Sequence, residues 1–284
     1  MGSDPIYFAD AIGTRHAHAA AEARIACLVP SITELLCDLG LAGQLVARTG
    51  FCIHPRALVE QIPKVGGTKD VNIGRLRELA PTHVIVNIDE NEKPAVEEIA
   101  RFVPHVIVTH PNAPLDNLAL YRLIGGIFNR AALAGKMGIE LEAALGALLA
   151  ATSVLPRERV LYLIWKDPWM TVVPDTYIGC MLAAAGWDAL ECAPAGPAAT
   201  PGAARYPQVE LENAARDAQI ILLSTEPFRF RDTHVAELQA RLPGQRIALI
   251  DGEMTSWYGS RAICGLRYLA AFRAALAASA VTNR

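Results

Sequence analysis

Arg24-Ile-Ala-Cys-Leu-Val-Pro-Ser31-Ile-Thr-Glu34-Leu-Leu is the stretch that decides how the rest of the chain is read. Arg24 to Val29 is a short apolar run of the kind that lies buried on both faces in a parallel sheet. Pro30 stops the strand because it has no N–H to give to a ladder. Ser31 and Glu34 then have the S-x-x-E spacing of a capping box, which predicts a helix opening at Ser31. Strand, turn and helix in this order begin an α/β unit, and they put Ser31 where such units bind ligands.

Working outward, the alternation continues to Thr109. Ile25–Val29, Leu45–Ala47, His83–Ile88 and His105–Val108 read as parallel strands, with helices at Ile32–Leu39, Ile73–Leu79 and Pro94–Phe102. Parallel strands joined by helices imply right-handed crossovers. The plan recurs with strands at Arg159–Ile164, Ala189–Glu191, Gln219–Leu223 and Arg246–Ile250, and helices at Thr176–Ala185, Leu211–Arg216, His234–Arg241 and Ser260–Ala278. Between the two halves, Asp116–Phe128 and Arg130–Ala151 read as helices. The second carries apolar residues at three- and four-residue steps. About 22 residues at 1.5 Å each give roughly 33 Å, enough to run from one lobe to another. The expected fold is α/β, two Rossmann-like lobes with parallel sheets joined by one long interlobe helix. Its expected divisions are an N-terminal extension 1–23, an N-terminal lobe 24–128, the interlobe helix 129–156 and a C-terminal lobe 157–284. Ala193–Gly202, rich in Pro, Ala and Gly, reads as a mobile loop.

Composition narrows the function. The 284 residues are 52% hydrophobic and 19% charged with a net charge of −3, sufficient for two lobes with their own cores. Lys and Arg are scattered, so no nucleic-acid face is expected. No uninterrupted apolar run approaches the roughly 18 residues of a membrane span, so a soluble protein is expected. Residues 1–23 include Asp4, Asp10, His16, His18 and Glu22 and have no apolar core of a signal peptide. A cytoplasmic protein is expected from the sequence as it stands, and a periplasmic one if a leader has been removed. The six cysteines, at 27, 37, 52, 180, 192 and 264, have no C-x-x-C pair or zinc-type spacing and read as free thiols. No G-x-G-x-x-G follows a strand and there is no P-loop, so nucleotide binding gains no support.

The carboxyl ends of the strands supply the candidate ligand residues. In the first half these are Ser31, then Phe51, Cys52 and His54, then Asp89-Glu90-Asn91-Glu92, then His110. In the second half they are Trp165 to Trp169, Glu226, and Trp257-Tyr258. Three tryptophans on loop ends suit a large, flat, partly apolar ligand. The competing reading is that these rings pack the loops onto their own lobe. Cys52 and His54, two apart, suit a soft or borderline metal. Against that, two local ligands fall short of the usual three or four, and Cys52 could be buried while His54 bonds loop backbone. The acidic cluster could act as a carboxylate dyad or could favour the N-terminus of the helix starting at Pro94. There is no G-x-S-x-G elbow, and His16, His18 and His234 lie outside the strand ends. No catalytic residue, resident metal or cofactor is expected.

Leu28-Val-Pro-Ser-Ile-Thr-Glu-Leu-Leu, Lys64-Val-Gly-Gly-Thr-Lys69, Leu79-Ala-Pro-Thr-His-Val-Ile-Val86 and Gly186 together resemble the cobalamin and iron-siderophore periplasmic binding protein family, the helical-backbone receptors of ABC importers, and most of all its cobalamin-binding members. The resemblance runs in order over residues 24–280. It implies a rigid bilobal receptor, not an enzyme, that holds a corrinoid or ferric-chelate ligand between its lobes. Carried over by position, the contacts are Ser31, the Phe51–His54 loop, Gly67 and Thr68, Trp165 to Trp169, and Trp257 and Tyr258. The family docks on an ABC permease through one glutamate per lobe. The second-lobe match is Glu212, whereas the first-lobe position is Gly74, a departure that weakens docking because rim charges guide recognition. A monomer is expected. The reading from another class is an intracellular tetrapyrrole- or corrinoid-handling enzyme or chaperone on the same fold, with His54, Cys52, Glu90 or Lys166 reactive. A free-ion receptor would need convergent His and carboxylate ligands, which the strand ends do not offer.

Overall fold

The computed structural model describes residues 6–192 and 204–282, with side chains to Ser279. The loop expected at Ala193–Gly202 lies outside the described residues. In chain order the first elements are Phe8–Ala9 (β1), Arg15–His16 (β2), Ile25–Cys27 (β3), Pro30–Asp38 (α1), a 3-10 turn at Ala42–Gln44, Leu45–Arg48 (β4), Arg56–Val59 (α2), Ile73–Glu78 (α3), His83–Asn87 (β5), Lys93–Ile99 (α4), His105–Thr109 (β6), Asp116–Ile127 (α5) and Ala131–Thr152 (α6). There follow Glu158–Trp165 (β7), Met170–Thr171 (β8), Tyr177–Ala184 (α7), Trp187–Ala189 (β9), Leu211–Arg216 (α8), Ile220–Ser224 (β10), Asp232–Arg241 (α9), Ile247–Ile250 (β11), Gly252–Ser256 (α10) and Arg261–Thr282 (α11).

The fold is two α/β units with parallel sheets, joined by the long helix α6. One unit comprises the residues up to Pro111 with Leu115–Glu140 and Tyr258–Arg261. The other comprises Asn112–Pro114, Leu141–Trp257 and the chain from Ala262 on. The chain passes from the first to the second within α6, after Glu140.

Unit 1 is built on a parallel sheet ordered β4-β3-β5-β6. Its strands are apolar on both faces because helices cover both. Ala26, Leu28, Val84, Val86 and Val108 from the strands pack with Leu76, Ile99 and Val103 from the helical side. The hairpin β1-β2, not anticipated from sequence, lies at the β6 edge, where Ala11 N–H bonds to Val108 O at 2.9 Å. Two-residue strands carry too little pattern to be read, yet they cover an edge that would otherwise be open for pairing.

Unit 2 has the order β11-β10-β7-β8, with β9 also paired to β7. All these pairings are parallel except β7-β8, a short antiparallel return. Its core joins Leu161, Leu163, Ile221 and Leu223 to Leu211, Ala215, Leu238 and the rings of Trp169 and Phe230. The strand expected at Ala189–Glu191 begins earlier, at Trp187. Gly186 takes φ +79, which ends α7 at once and lets Trp187 pair with Glu158. The stretch Arg261–Ser279 of α11 is long and apolar enough to cross a membrane by length and composition. A count of uninterrupted apolar residues misses it because Arg267 and Arg273 interrupt the run. Its Ala262, Leu266, Leu269 and Arg273 are buried within the protein.

The opening stretch differs in one respect. Helix α1 starts at Pro30, its N-cap is Val29, and no side chain caps it. Proline at the first helical position has its φ preset and no N–H to leave orphaned, so the helix begins one residue before Ser31. The expected capping box is therefore not formed. Glu34 instead accepts two hydrogen bonds from the Arg261 guanidinium at 2.6 and 2.7 Å. Side-chain caps form instead at Asn72 on α3, Thr176 on α7 and Asp251 on α10, and on α9 the His234 ring accepts from Arg231 N–H at 3.0 Å.

Candidate functional site

At the carboxyl end of β3, Ser31 is buried and its Oγ has no well-formed hydrogen bond. The loop after β4 is fastened from beneath. Arg48 is buried, and its guanidinium donates to Val59 O at 2.6 Å, Thr49 O at 3.1 Å and Cys52 O at 3.0 Å. Cys52 points inward, with Sγ 3.1 Å from Thr33 Oγ1 and 3.2 Å from Thr49 Oγ1. Burial pushes its thiol pKa up, which keeps it protonated and unreactive. With Cys52 turned in, its neighbours turn out: Phe51 is 62% and Ile53 48% exposed. His54 is half-buried and followed by a cis peptide bond to Pro55. Gly67 lies under the Phe51 ring. A Cβ there would stand 2.1 Å from Asp70 Oδ1 and 3.3 Å from Phe51 Cε2, so a side chain would displace the Asp70 carboxylate.

Thr68 and the acidic loop are tied together by Asn91, which donates to Thr68 O at 2.8 Å and accepts from Asn87 N–H at 2.8 Å. Asp89 accepts from the direction of His110, Oδ2 to Nε2 being 3.4 Å. Glu90 accepts a hydrogen bond from the Tyr258 hydroxyl. Burial first, and then the Glu90 carboxylate, push that phenol well above its ordinary pKa. The hydroxyl thus stays a donor at neutral pH. Tyr258 reaches unit 1 because Gly259 is held there by Asn117 at 2.6 Å and by the Tyr121 hydroxyl at 2.9 Å. Ser31, Phe51, Gly67, Thr68, Glu90 and Tyr258 therefore all belong to the strand-end region of unit 1, and Cys52 lies beneath it.

In unit 2 the β7-β8 turn carries Trp165 to Trp169. Asp167 adopts φ +59, a left-handed position that Asp tolerates better than most residues. Trp165 is 39% exposed and meets Phe228 edge-on at 5.6 Å. Phe228 contacts Phe230 at 4.7 Å, and Phe230 stacks on the buried Trp169 at 6.1 Å. Lys166 bridges to both carboxylate oxygens of Glu237 at 2.6 Å, with its ammonium 5.8 Å from the centre of the Trp169 ring. Glu226 is held by Ser256 Oγ and Trp257 Nε1, each donating at 2.7 Å. Burial raises the Glu226 pKa despite these bonds. Gly252 packs so closely that a Cβ would lie 2.5 Å from Ser224 Oγ.

Two parallel-sheet units linked by one long helix are an architecture that known proteins share. Residues 25–243 match the periplasmic binding protein family. The chain belongs to that family. Comparison with curated proteins gave no match. Among solved structures, it is similar to the periplasmic vitamin B12 binding protein BtuF of Vibrio cholerae, at 17% identity and TM-score 0.72, covering 88% of this chain and 96% of that one. It is also similar to the periplasmic heme-binding protein RhuT from Roseiflexus sp. RS-1 in apo form, at 20% identity and TM-score 0.71, covering 88% and 97%. The periplasmic heme-binding protein HutB of Vibrio cholerae aligns at 20% identity and TM-score 0.67, covering 88% and 98%. At these identities the likeness carries the fold.

Within this periplasmic binding protein, the two positions singled out for docking differ. Glu212 is exposed in the first turn of α8 and accepts from Arg241 Nε at 2.6 Å. Gly74 is exposed in the first turn of α3, with space beside it. Arg48, Thr33 and Phe230 escaped the sequence reading. Phe230 carried a signal, lying four residues beyond Glu226 in a strand-end loop. Arg48 carried almost none, since an arginine ending Leu-Val-Ala-Arg reads as a solvated strand end.

Proposed function

We propose that this chain is a non-catalytic substrate-binding protein of an ABC importer whose cargo is a cobalamin-type corrinoid or a similar metal chelate. The observation that carries the reading is the pair of outward aromatic groups, Phe51 in unit 1 and Trp165 in unit 2. Each stands at the carboxyl end of a parallel strand on a rigidly fastened base. Exposed rings on fixed supports offer contact area to a flat ligand with little entropy left to lose. In this reading Ser31, Gly67, Thr68, Glu90 and Tyr258 supply polar and close backbone contacts in unit 1. Trp165, Trp169, Glu226 and Trp257 supply the contacts in unit 2, Trp169 as the buried support of the turn. His54 is the axial candidate, and Cys52 is support for the loop. Glu212 is the proposed permease contact. The relatives named above are periplasmic by description, and we take that setting for this chain in place of the cytoplasmic one that residues 1–23 led us to expect.

Thermal-shift titration with cobalamin, cobinamide, haem and ferric siderophores tests this, because a ligand bound to the native state raises its melting temperature by mass action. Stabilisation by one class, with the ligand recovered unchanged, is expected. Stabilisation by none, or a chemically altered ligand, would sink the receptor reading. Loss of the visible-spectrum shift in His54→Ala identifies axial contact, and an unchanged shift removes it.

A further inference from the structure

At the amino ends of β5 and β6, away from the strand ends that carry the candidate ligand residues, unit 1 has a cavity of about 400 Å³ lined by four histidines: His16, His18, His83 and His105. Among the described residues no group of three or more His, Cys, Asp or Glu could hold a metal ion, so a bound metal does not explain the cluster. The histidines instead join the N-terminal segment to the sheet. Asp10, at the turn of the β1-β2 hairpin, accepts from Val108 N–H of β6 at 3.0 Å and from His16 Nε2 at 3.1 Å. His18 Nδ1 bonds to Gly126 O at 2.8 Å, and Ala19 N–H bonds to Ile127 O at 2.7 Å. Phe8 lies on Gly126, where a Cβ would stand 2.1 Å from its ring. Residues 8–19 are thus strapped across β6 and the end of α5.

The strap closes over a buried imidazole, His83, packed between rings. His83 is 6% exposed. It stacks on His105 of β6 at 4.6 Å and 23°, and meets Phe128 edge-on at 5.3 Å. Its Nδ1 is 2.8 Å from Thr82 Oγ1. The titratable groups around it are His105, His16 on β2, and His18 and Glu22 on the cavity wall, with Asp10 behind His16. A proton on His83 would place a charge against a stacked second imidazole and an aromatic edge, with no carboxylate in contact.

We propose that this cavity is an acid-sensitive latch: residues 8–19 are held on unit 1 while His83 is neutral, and are released as it gains a proton. Burial, then the charges of His105 and His16, lower the His83 pKa from its ordinary 6.5 to about 4. A strap that has come away takes His16 and its share of the burial with it, so His83 takes up its proton at a higher pH than in the closed form. Between about pH 6.5 and 4, each unit of acidification therefore favours the released form by up to tenfold.

The test is amide hydrogen exchange on the full chain, corrected for the pH dependence of the intrinsic rate. Ala11 and Ala19 report on the strap, and Val84 and Val86 on the sheet. Between pH 7 and pH 5, protection at Ala11 and Ala19 should fall at least tenfold while that of β5 holds. In His83→Gln the fall should vanish or move at least one pH unit lower. Should that variant fail to fold, His105→Gln, which removes the stacked partner's charge, should move the fall in the same direction. Unchanged protection at pH 5, release only together with β5, or an identical profile in the folded variant would each overturn the latch.

Discussion

The two units carry out the same task with different chemistry. Each must keep a large apolar side chain exposed at the end of a parallel strand without letting its loop collapse. Unit 1 holds Phe51 from below with a buried cation: Arg48 gathers three backbone carbonyls, and the Cys52 thiol fills the space between Thr33 and Thr49. Unit 2 holds Trp165 from the side with rings, running through Phe228 and Phe230 to the buried Trp169. A hydrogen-bonded base fixes a loop by direction, whereas a ring stack fixes it by shape. The first is brittle when one donor is removed, and the second when volume is removed.

The strongest way to break the comparison is in the ring stack. Trp169→Ala empties a buried indole volume in unit 2, a change that costs about 3–5 kcal/mol in protein cores. Calorimetry resolving the unit 2 transition should show that loss, together with freed motion of the 165–169 turn. A cost below about 1 kcal/mol would mean that the rings do not bear the turn. In unit 1 the counterpart is Arg48→Ala, which leaves carbonyls of Thr49, Cys52 and Val59 without their charged donor. Removing such a donor costs about 3 kcal/mol. Arg48→Lys should not restore it, because an ammonium cannot reproduce the guanidinium fork. Full rescue by lysine would show that charge alone, rather than geometry, holds the loop.

Acid separates the units by sign. His83 in unit 1 has a folded pKa of about 4, below its ordinary 6.5. A depressed base is neutral in the native state, so its stability contribution is present above about pH 6.5 and is lost as pH falls toward 4, at most about 3 kcal/mol. Glu226 in unit 2 is raised by burial above its ordinary 4.5. A raised acid favours the native state below the ordinary pKa, and that contribution is lost as pH rises through the folded value. Unit 1 should therefore weaken on acidification, while the Glu226 contribution to unit 2 grows. Melts from pH 7 to 4.5 with His83→Gln and Glu226→Gln should remove the two trends separately, and a common trend in both variants would break the contrast.

The sequence made the α/β alternation readable because strands buried on two faces need uninterrupted apolar runs, as in His83-Val-Ile-Val and Arg159-Val-Leu-Tyr-Leu-Ile. It did not reveal the β1-β2 hairpin, whose register depends on Asp10 reaching a strand 98 residues away. The capping box at Ser31 and Glu34 was a sound local reading, overruled by Pro30 as the first helical residue. Trp165 was readable as an exposed strand-end ring. Trp169, four residues on, could not be told from it until packing on Phe230 placed it in the core. Arg48 shows the limit most clearly. Its three acceptors are backbone carbonyls, which leave no mark on side-chain pattern.

The smallest effect sharpens the comparison at the two surface positions singled out for docking. Glu212 in unit 2 lies in the first turn of α8, and Gly74 in unit 1 lies in the first turn of α3 behind the Asn72 cap. A Cβ at Gly74 meets nothing closer than Asn72 Oδ1 at 3.6 Å, and its backbone is helical, so a side chain fits without strain. Glycine costs a helix about 0.5–1 kcal/mol relative to residues with a Cβ, and a carboxylate near the N-terminus adds a few tenths at low salt. Gly74→Glu should therefore raise the stability of unit 1 by about 1 kcal/mol, part of it lost in high salt, measured by denaturant melts at two ionic strengths. A destabilising result would show that Gly74 serves the local backbone of α3. A stabilising one would show that nothing in unit 1 itself requires glycine where unit 2 presents a glutamate.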